Sequence, residues 1–194
     1  MDLGGKFYNE KDLCKTGFKK LGKNVRVHSR ASIYGVKNIS LGDNVRIDDF
    51  SIIIATGPVN IGSYVHIANF CYLGGTFGID MEDFSGLSPK VMLFSSSDDY
   101  SGLNLTNPTV PIEHTGGKKG KIILKKHVII GAGSIILPGC IVGEGTSVGA
   151  LSLVTKPLDP WGVYSGIPAK RLKNRKKDLL KLEKELTDKQ HHIK

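Results

Sequence analysis

The groups in this chain with chemistry to offer are six histidines, the adjacent pair Asp98-Asp99 and three cysteines. Cys14, Cys71 and Cys140 are odd in number, widely spaced and free of any CxxC pair. They read as reduced, mostly buried thiols rather than a disulfide frame or a zinc site. His66 stands out among the histidines. It directly precedes an aliphatic residue in a repeating apolar phase, so alternation turns its ring outward, and an imidazole titrates near neutral pH. Asp98 or Asp99 can orient that ring as in a His–Asp pair. An aspartate acting as base in its own right is a second reading, and a chemistry that needs no strong base is a third. His114 lies in a polar segment from which it can reach a substrate. His127 reads as structural, His28 as a surface residue, and His191 and His192 belong to the tail.

The element that must position these groups is a repeat. From Leu124, steps of six reach Ile130, Ile136, Val142, Val148 and Val154, all branched aliphatics. Six is neither the helical period nor the flat-strand period; it is the period of a parallel β-helix built from hexapeptides. Three hexapeptides make one triangular coil, with one aliphatic side chain per face stacked inward. The same phase begins weakly at Val27, Ile33 and Ile39 and is clear at Leu41, Ile47 and Ile53. It slips by two near residues 55–60 and resumes at Ile61, Ile67, Leu73, Ile79, Ser85 and Val91. Residues 95–121 lack any period and are rich in Ser, Asn, Pro and Gly, which predicts a long loop expelled from the solenoid.

The expected organisation is an N-terminal helical cap over 1–24, with a helix at 9–22 capped by Asn9, a β-helix over 25–156, and a C-terminal extension over 157–194. That extension is basic, and Leu172, Leu179, Leu182 and Leu186 mark one side of a helix. Charged residues are 23% of the 194 and the net charge is +9. This composition indicates a globular rather than a disordered chain and permits anionic partners without choosing among them. No aromatic residues interleave with the basic run, so nucleic acid is not an expected partner; weak attraction to anionic lipid is the most the charge suggests. No signal-peptide core or apolar span is evident, which sets the expectation of a cytoplasmic protein.

Together, the repeats, the loop and the segment from Val148 to Leu172 resemble the hexapeptide-repeat acyltransferases. The stretches VHIANFCYLGG, FSSSDDYSG and NPTVP are most similar to bacterial sugar O- and N-acetyltransferases of surface-polysaccharide pathways. The resemblance implies a left-handed β-helix, an exception to the usual right-handed crossover. It also implies a homotrimer, acetyl-CoA as acyl donor, a sugar acceptor and no metal. By motif it implies that Ala132 and Ala150 line the pantetheine arm, that Thr155, Lys156, Pro168 and Lys170 lie near the nucleotide end, and that Asn69 binds the acceptor. The family's usual catalytic histidine at the root of the loop is replaced here by Asp98-Asp99. His66, one coil below the loop, is therefore the expected base, with Asp98 and Asp99 orienting it and His114 near the acceptor. An antibiotic acetyltransferase, a metal-dependent hydratase and a non-catalytic scaffold are the alternatives on the same fold.

Overall fold

The computed structural model describes residues 4–191; positions 1–3 and 192–194, including His192, lie outside the described residues. The hexapeptide pattern becomes a left-handed triangular prism with three parallel sheets as its sides. Face 1 stacks Lys20–Leu21, Ile39–Leu41, Val59–Ile61, Ile79–Met81, Ile122–Leu124 and Ile141–Val142. Face 2 stacks Arg26–Val27, Arg46–Ile47, His66–Ile67, Gly86–Leu87, Ile129–Ile130, Ser147–Val148 and Gly162–Ser165, and ends with the antiparallel strand Lys170–Asn174. Face 3 stacks Ser32–Tyr34, Ile52–Ile54, Tyr72–Gly74, Met92–Phe94, Ile135–Ile136 and Leu153–Val154.

The core is a set of inward columns, one side chain per face per coil. Ile47, Ile67, Leu87 and Ile130 on face 2, with Ile53, Leu73, Leu93 and Ile136 on face 3, are at most 1% exposed. Two residues before each lies a second inward position. On face 3 it is filled by Ser51, Cys71, Val91, Ser134 and Ser152, small groups except for Val91. Ser85, the small residue in the inward phase, belongs to this second column on face 2.

Partner registers show why the phase slips. Arg26, Arg46, His66 and Gly86 are stacked at intervals of 20 residues, whereas Ile129 and Ser147 are 18 apart. The early coils therefore each carry two extra residues where face 3 turns into face 1. The expected single slip at 55–60 recurs at 75–78. Ile79, Ser85 and Val91 consequently track the second inward column, and Met81, Leu87 and Leu93 the main one.

Helix α1 covers only Glu10–Cys14, shorter than the expected 9–22. Asn9 caps it, its Oδ1 accepting from the Asp12 amide at 2.8 Å. Gly17 then turns the chain at φ 83° and Lys20–Leu21 is already the first strand of face 1. Leu13 is 2% exposed and packs with the core, so α1 covers the open end of the solenoid as such ends require. Helix α2 covers Leu179–His191; Leu172 lies in the preceding strand, not in the helix. Glu183 ties α2 to its own solenoid, with Oε2 2.8 Å from His127 Nε2 and Oε1 2.5 Å from Lys126 Nζ. The expelled loop is rooted by Ser96–Ser97 pairing antiparallel with Lys118–Lys119.

Candidate active site

Where face 2 turns into face 3, each coil repeats one four-residue corner. Backbone amides of Asp48, Ala68, Ser88, Gly131 and Gly149 each donate to the coil above, which makes these five positions equivalent. The next residue in each corner is Asp49, Asn69, Pro89, Ala132 or Ala150. Asn69, Ala132 and Ala150, assigned to acceptor and donor by motif, thus share one position along one edge. The third residue of several corners adopts the left-handed conformation: Phe50, Phe70, Lys90, Gly133 and Leu151 have φ from 55° to 70°. At Gly133 a Cβ would come within 2.8 Å of Leu151 Cδ2, so glycine there makes room for the exposed Leu151 side chain of the next corner.

His66 projects outward from face 2 with half of its side chain exposed. Its partner is Asp48, whose Oδ2 lies 2.7 Å from His66 Nε2. Arg46 donates through Nε to the other oxygen of Asp48 at 2.6 Å. Partial burial pushes the Asp48 carboxyl up, but the hydrogen bonds and charges of Arg46 and His66 outweigh it and hold the group below the ordinary aspartate range. An ionised Asp48 facing Nε2 favours a proton there and leaves Nδ1 as the free imidazole nitrogen.

The loop aspartates are placed differently from expectation. Neither is the carboxylate on His66; Asp48 holds that position, just past the strand Arg46–Ile47 and two residues after Arg46, whose outward side it shares. Asp99 is consumed by its own turn. It accepts from the Ser101 amide at 2.7 Å, the Ser101 hydroxyl at 2.6 Å, the Asn104 amide at 2.8 Å and the Asn104 side chain at 3.0 Å. Those donors, Ser101 first, hold it far below the ordinary range. Asp98 is exposed, with a long contact of 3.4 Å from the Asn107 amide. His114 is exposed on the short 3-10 turn Ile112–His114 in the loop's return limb.

The remaining motif residues lie toward the C-terminal end. Thr155 is half-buried and Lys156 exposed just after face 3, while Pro168 and Lys170 are exposed beside the closing strand pair. Ala169 between them is 6% exposed and donates its amide to Leu153 at 2.8 Å. The edge therefore runs from Asn69 through Ala132 and Ala150 toward Pro168 and Lys170, whereas Thr155 and Lys156 follow face 3 on its far side. Amides of Ala132 and Ala150 pair with no acceptor in the hydrogen bonds of the described residues, and small side chains leave them accessible. That fits an arm with amide carbonyls to offer. Beneath Ser88 the Cys71 thiol donates to its carbonyl at 3.3 Å, and burial pushes that thiol up to about 11, so it is neutral packing.

Three comparisons bear on this edge. Residues 121–156 match the family model "Bacterial transferase hexapeptide (six repeats)". The dTDP-4-amino-4,6-dideoxy-D-glucose acyltransferase of Escherichia coli is 43% identical over 178 residues, spanning 91% of this chain and 93% of that protein. Among solved structures, AntD, an N-acyltransferase from Bacillus cereus in complex with dTDP and 3-hydroxybutyryl-CoA, superposes with a TM-score of 0.93 at 46% identity, covering 96% of this chain and 99% of its own. AntD has also been solved with an aspartate replaced, in complex with dTDP and coenzyme A. A serine ten residues before that aspartate has been replaced as well, with dTDP or dTDP-4-amino-4,6-dideoxyglucose bound beside coenzyme A. A chloramphenicol acetyltransferase from Klebsiella aerogenes is 38% identical over 58 residues, only 30% of this chain and 28% of that protein.

Proposed function

The chain belongs to the hexapeptide-repeat acyltransferases that use acyl-CoA to acylate sugars, and on that premise we propose that it acylates the amino group of a dTDP-linked 4-amino-4,6-dideoxyhexose. The observation that carries this is similarity over nine-tenths of both chains to an enzyme of that description. The chloramphenicol enzyme, by contrast, matches under a third of this chain. This makes the acceptor nitrogen rather than oxygen, and the acyl group acetyl or a short hydroxyacyl.

A serine followed ten residues later by an aspartate occurs once in the sequence, at Ser88 and Asp98, and we assign these to the reacting centre. Ser88 sits on the edge between Asn69 and Ala132. Asp98 stands exposed at the loop root, with one long contact from the Asn107 amide. The acceptor amine attacks the thioester carbonyl, forming the C–N bond. Its proton passes to the Asp98 carboxylate as the tetrahedral intermediate develops, and the C–S bond then breaks to release coenzyme A as thiol, protonated from Asp98. The Ser88 hydroxyl is placed to donate to the intermediate's oxyanion. His66, held by Asp48, is left to bind the acceptor rather than to act as base.

The active form is a homotrimer in this reading. Face 3 carries Tyr34, Ile52, Met92 and Leu153 outward, with Tyr34 60% exposed, a surface suited to burial against a second copy. Among the described residues no helix is long and apolar enough to cross a membrane. Nucleotide sugars and acyl-CoA meet in the cytoplasm, where the product would feed a glycosyl transfer into a surface polysaccharide. The test is thiol release with acetyl-CoA or 3-hydroxybutyryl-CoA and dTDP-4-amino-4,6-dideoxyglucose. Turnover that requires the 4-amino group is expected; acylation of chloramphenicol with no reaction on the nucleotide sugar would overturn the assignment.

A further inference from the structure

Helix α2 is pinned where face 1 meets face 2. Glu183 reaches His127 and Lys126 there, and Arg175, in the lead-in to the helix, donates to the carbonyls of His127 and Gly145. Between the helix and the sheet runs an open groove of 470 Å³. Leu179, Leu182 and Leu186 form its wall, at the three- and four-residue spacing of a helix stripe, and Leu182 is 65% exposed. The floor is the outward column His66, Gly86 and Ile129 of face 2. Neither backbone nor packing requires glycine at 86. The residue lies outside the left-handed region, and an added Cβ would meet nothing closer than Ile129 Cδ1 at 3.4 Å. Its missing side chain leaves the floor open.

Side chains of matching chemistry project from the expelled loop. Tyr100, Leu103, Leu105 and Ile112 are all exposed, Tyr100 by 93% and Leu103 by 85%. The loop backbone is nevertheless ordered by its own bonds. Asp99 gathers the turn through Ser101 and Asn104, and Leu105 pairs with His114 and Thr115. The apolar side chains are thus held outward by a preset backbone, which lowers the entropy cost of docking, and exposed apolar clusters of this kind mark contact surfaces. Charge agrees. From 98 to 117 the loop has Asp98, Asp99 and Glu113 and no Lys or Arg. From 173 to 184 Lys and Arg outnumber Asp and Glu by six to two, and Glu183 is already paired with Lys126 and His127.

We propose that the loop tip of one protomer seats in this groove of its neighbour, with Tyr100 and Leu103 between α2 and face 2. The inference rests on the proposed reacting centre and trimer. Ser88 precedes and Asp98 follows the face 3 strand Met92–Phe94, so the two stand at opposite corners of their coil, and an Asp98 acting at Ser88 comes from a neighbour. In that trimer face 3 is covered by the neighbour's body, which leaves face 2 for the loop beyond Asp98 to cross. Gly86 lies two residues before Ser88 on the same coil. The groove floor therefore begins about 7 Å from Ser88 at strand spacing, within reach of a segment that runs five residues from Asp98 to Leu103. Seating fixes Asp98 beside the amine and shields the half-exposed His66 from water.

Disulfide trapping tests the seat without turnover, so its outcome stands apart from the acyltransferase assay. In a Cys14→Ser background, which removes the exposed native thiol, chains carrying Leu103→Cys are co-expressed with chains carrying Leu182→Cys and oxidised. Both positions are exposed, so neither substitution disturbs the core. A cross-linked pair of chains on a non-reducing gel is expected from the mixture and not from either variant alone. Gly86→Val should fill the floor without lowering Tm or the Tm shift induced by coenzyme A. It should lower kcat/KM for thiol release about tenfold, the scale of one lost side-chain seat at an interface. Absence of the cross-link in an intact trimer, or normal kcat/KM in Gly86→Val, overturns the seat and leaves the acyltransferase reading standing. A chain that acylates the nucleotide sugar as a monomer sinks the seat and the trimer together.

Discussion

Ser88 and Asp98 leave the fourth coil at opposite ends of face 3. The run Val91–Ser95 between them is five residues long and its inward side chains are fully buried. At about 3.3 Å per residue that run spans roughly 16 Å, too far for both side chains of one chain to meet at a single amine. In the proposed trimer, the reacting centre proposed above then takes Ser88 from one protomer and Asp98 from the next. Ser88→Ala and Asp98→Asn trimers should each be nearly inactive, the latter down about 10²–10⁴-fold for loss of a base. Mixed by co-expression in equal amounts, random assembly makes about three quarters of the trimers hybrid, each with one intact site of three. Activity should therefore return to about one quarter of wild type. The readout is thiol release at saturating acyl-CoA and nucleotide sugar. A mixture no more active than its two components, with hybrid trimers shown by mass spectrometry, would refute the cross-protomer site.

Glu183→Gln should loosen α2 and cost about 1–3 kcal/mol, the scale of a charge-assisted hydrogen-bonded contact, visible as a lower Tm at pH 7. Burial pushes Glu183 up, but the hydrogen bonds and charges of Lys126 and His127 outweigh it and hold the carboxyl below the ordinary glutamate range; the stabilisation is therefore complete above that range and fades as pH falls through the folded pKa. The Tm difference between wild type and Glu183→Gln should accordingly shrink on acidification, and a difference that grows would contradict the pairing. Leu93→Ala, at a fully buried stacking position, should destabilise by about 2–5 kcal/mol in denaturant titration. Coenzyme A should raise Tm by mass action, and Lys156→Ala or Lys170→Ala should reduce that shift; an unchanged shift in both would remove these lysines from the donor site. His66→Ala should raise KM for the nucleotide sugar more than it lowers kcat; a kcat loss as large as that of Asp98→Asn would return the role of base to the imidazole.

The solenoid was legible because a six-residue phase imposes itself on every face: Leu124 through Val154 reads correctly from spacing alone. Helix extents were not legible. Glu10–Cys14 ends where Gly17 and the strand partner of Ile39–Leu41 take over, and tertiary pairing overrides local propensity. Leu172 lies in a strand for the same reason, as the residue skipped by the register shift in the antiparallel pairing of Lys170–Asn174 with Gly162–Ser165.

The site was harder to read because its contacts depend on coil length, which the hexapeptide phase conceals. With coils of 18 residues, Asp48 would be the register partner of His66 and Arg46 would have no place beside it. With coils of 20, Arg46 is the register partner in the preceding coil, and Asp48 reaches the imidazole from the turn that follows Arg46 and Ile47. The clue was present in the recurring two-residue surplus at 35–38, 55–58 and 75–78, but each surplus is itself masked by a second inward column of aliphatic and small residues. Ser88 escaped notice for a different reason. A serine at a corner is ordinary turn chemistry, and only its place on the edge, between an asparagine and a run of glycine and alanine, separates it from other turn serines. The replacement of a loop histidine by Asp98 then follows from the acceptor. A sugar amine is a stronger nucleophile than a hydroxyl and sheds its proton only after bonding has begun, so a carboxylate suffices where an alcohol would call for an imidazole.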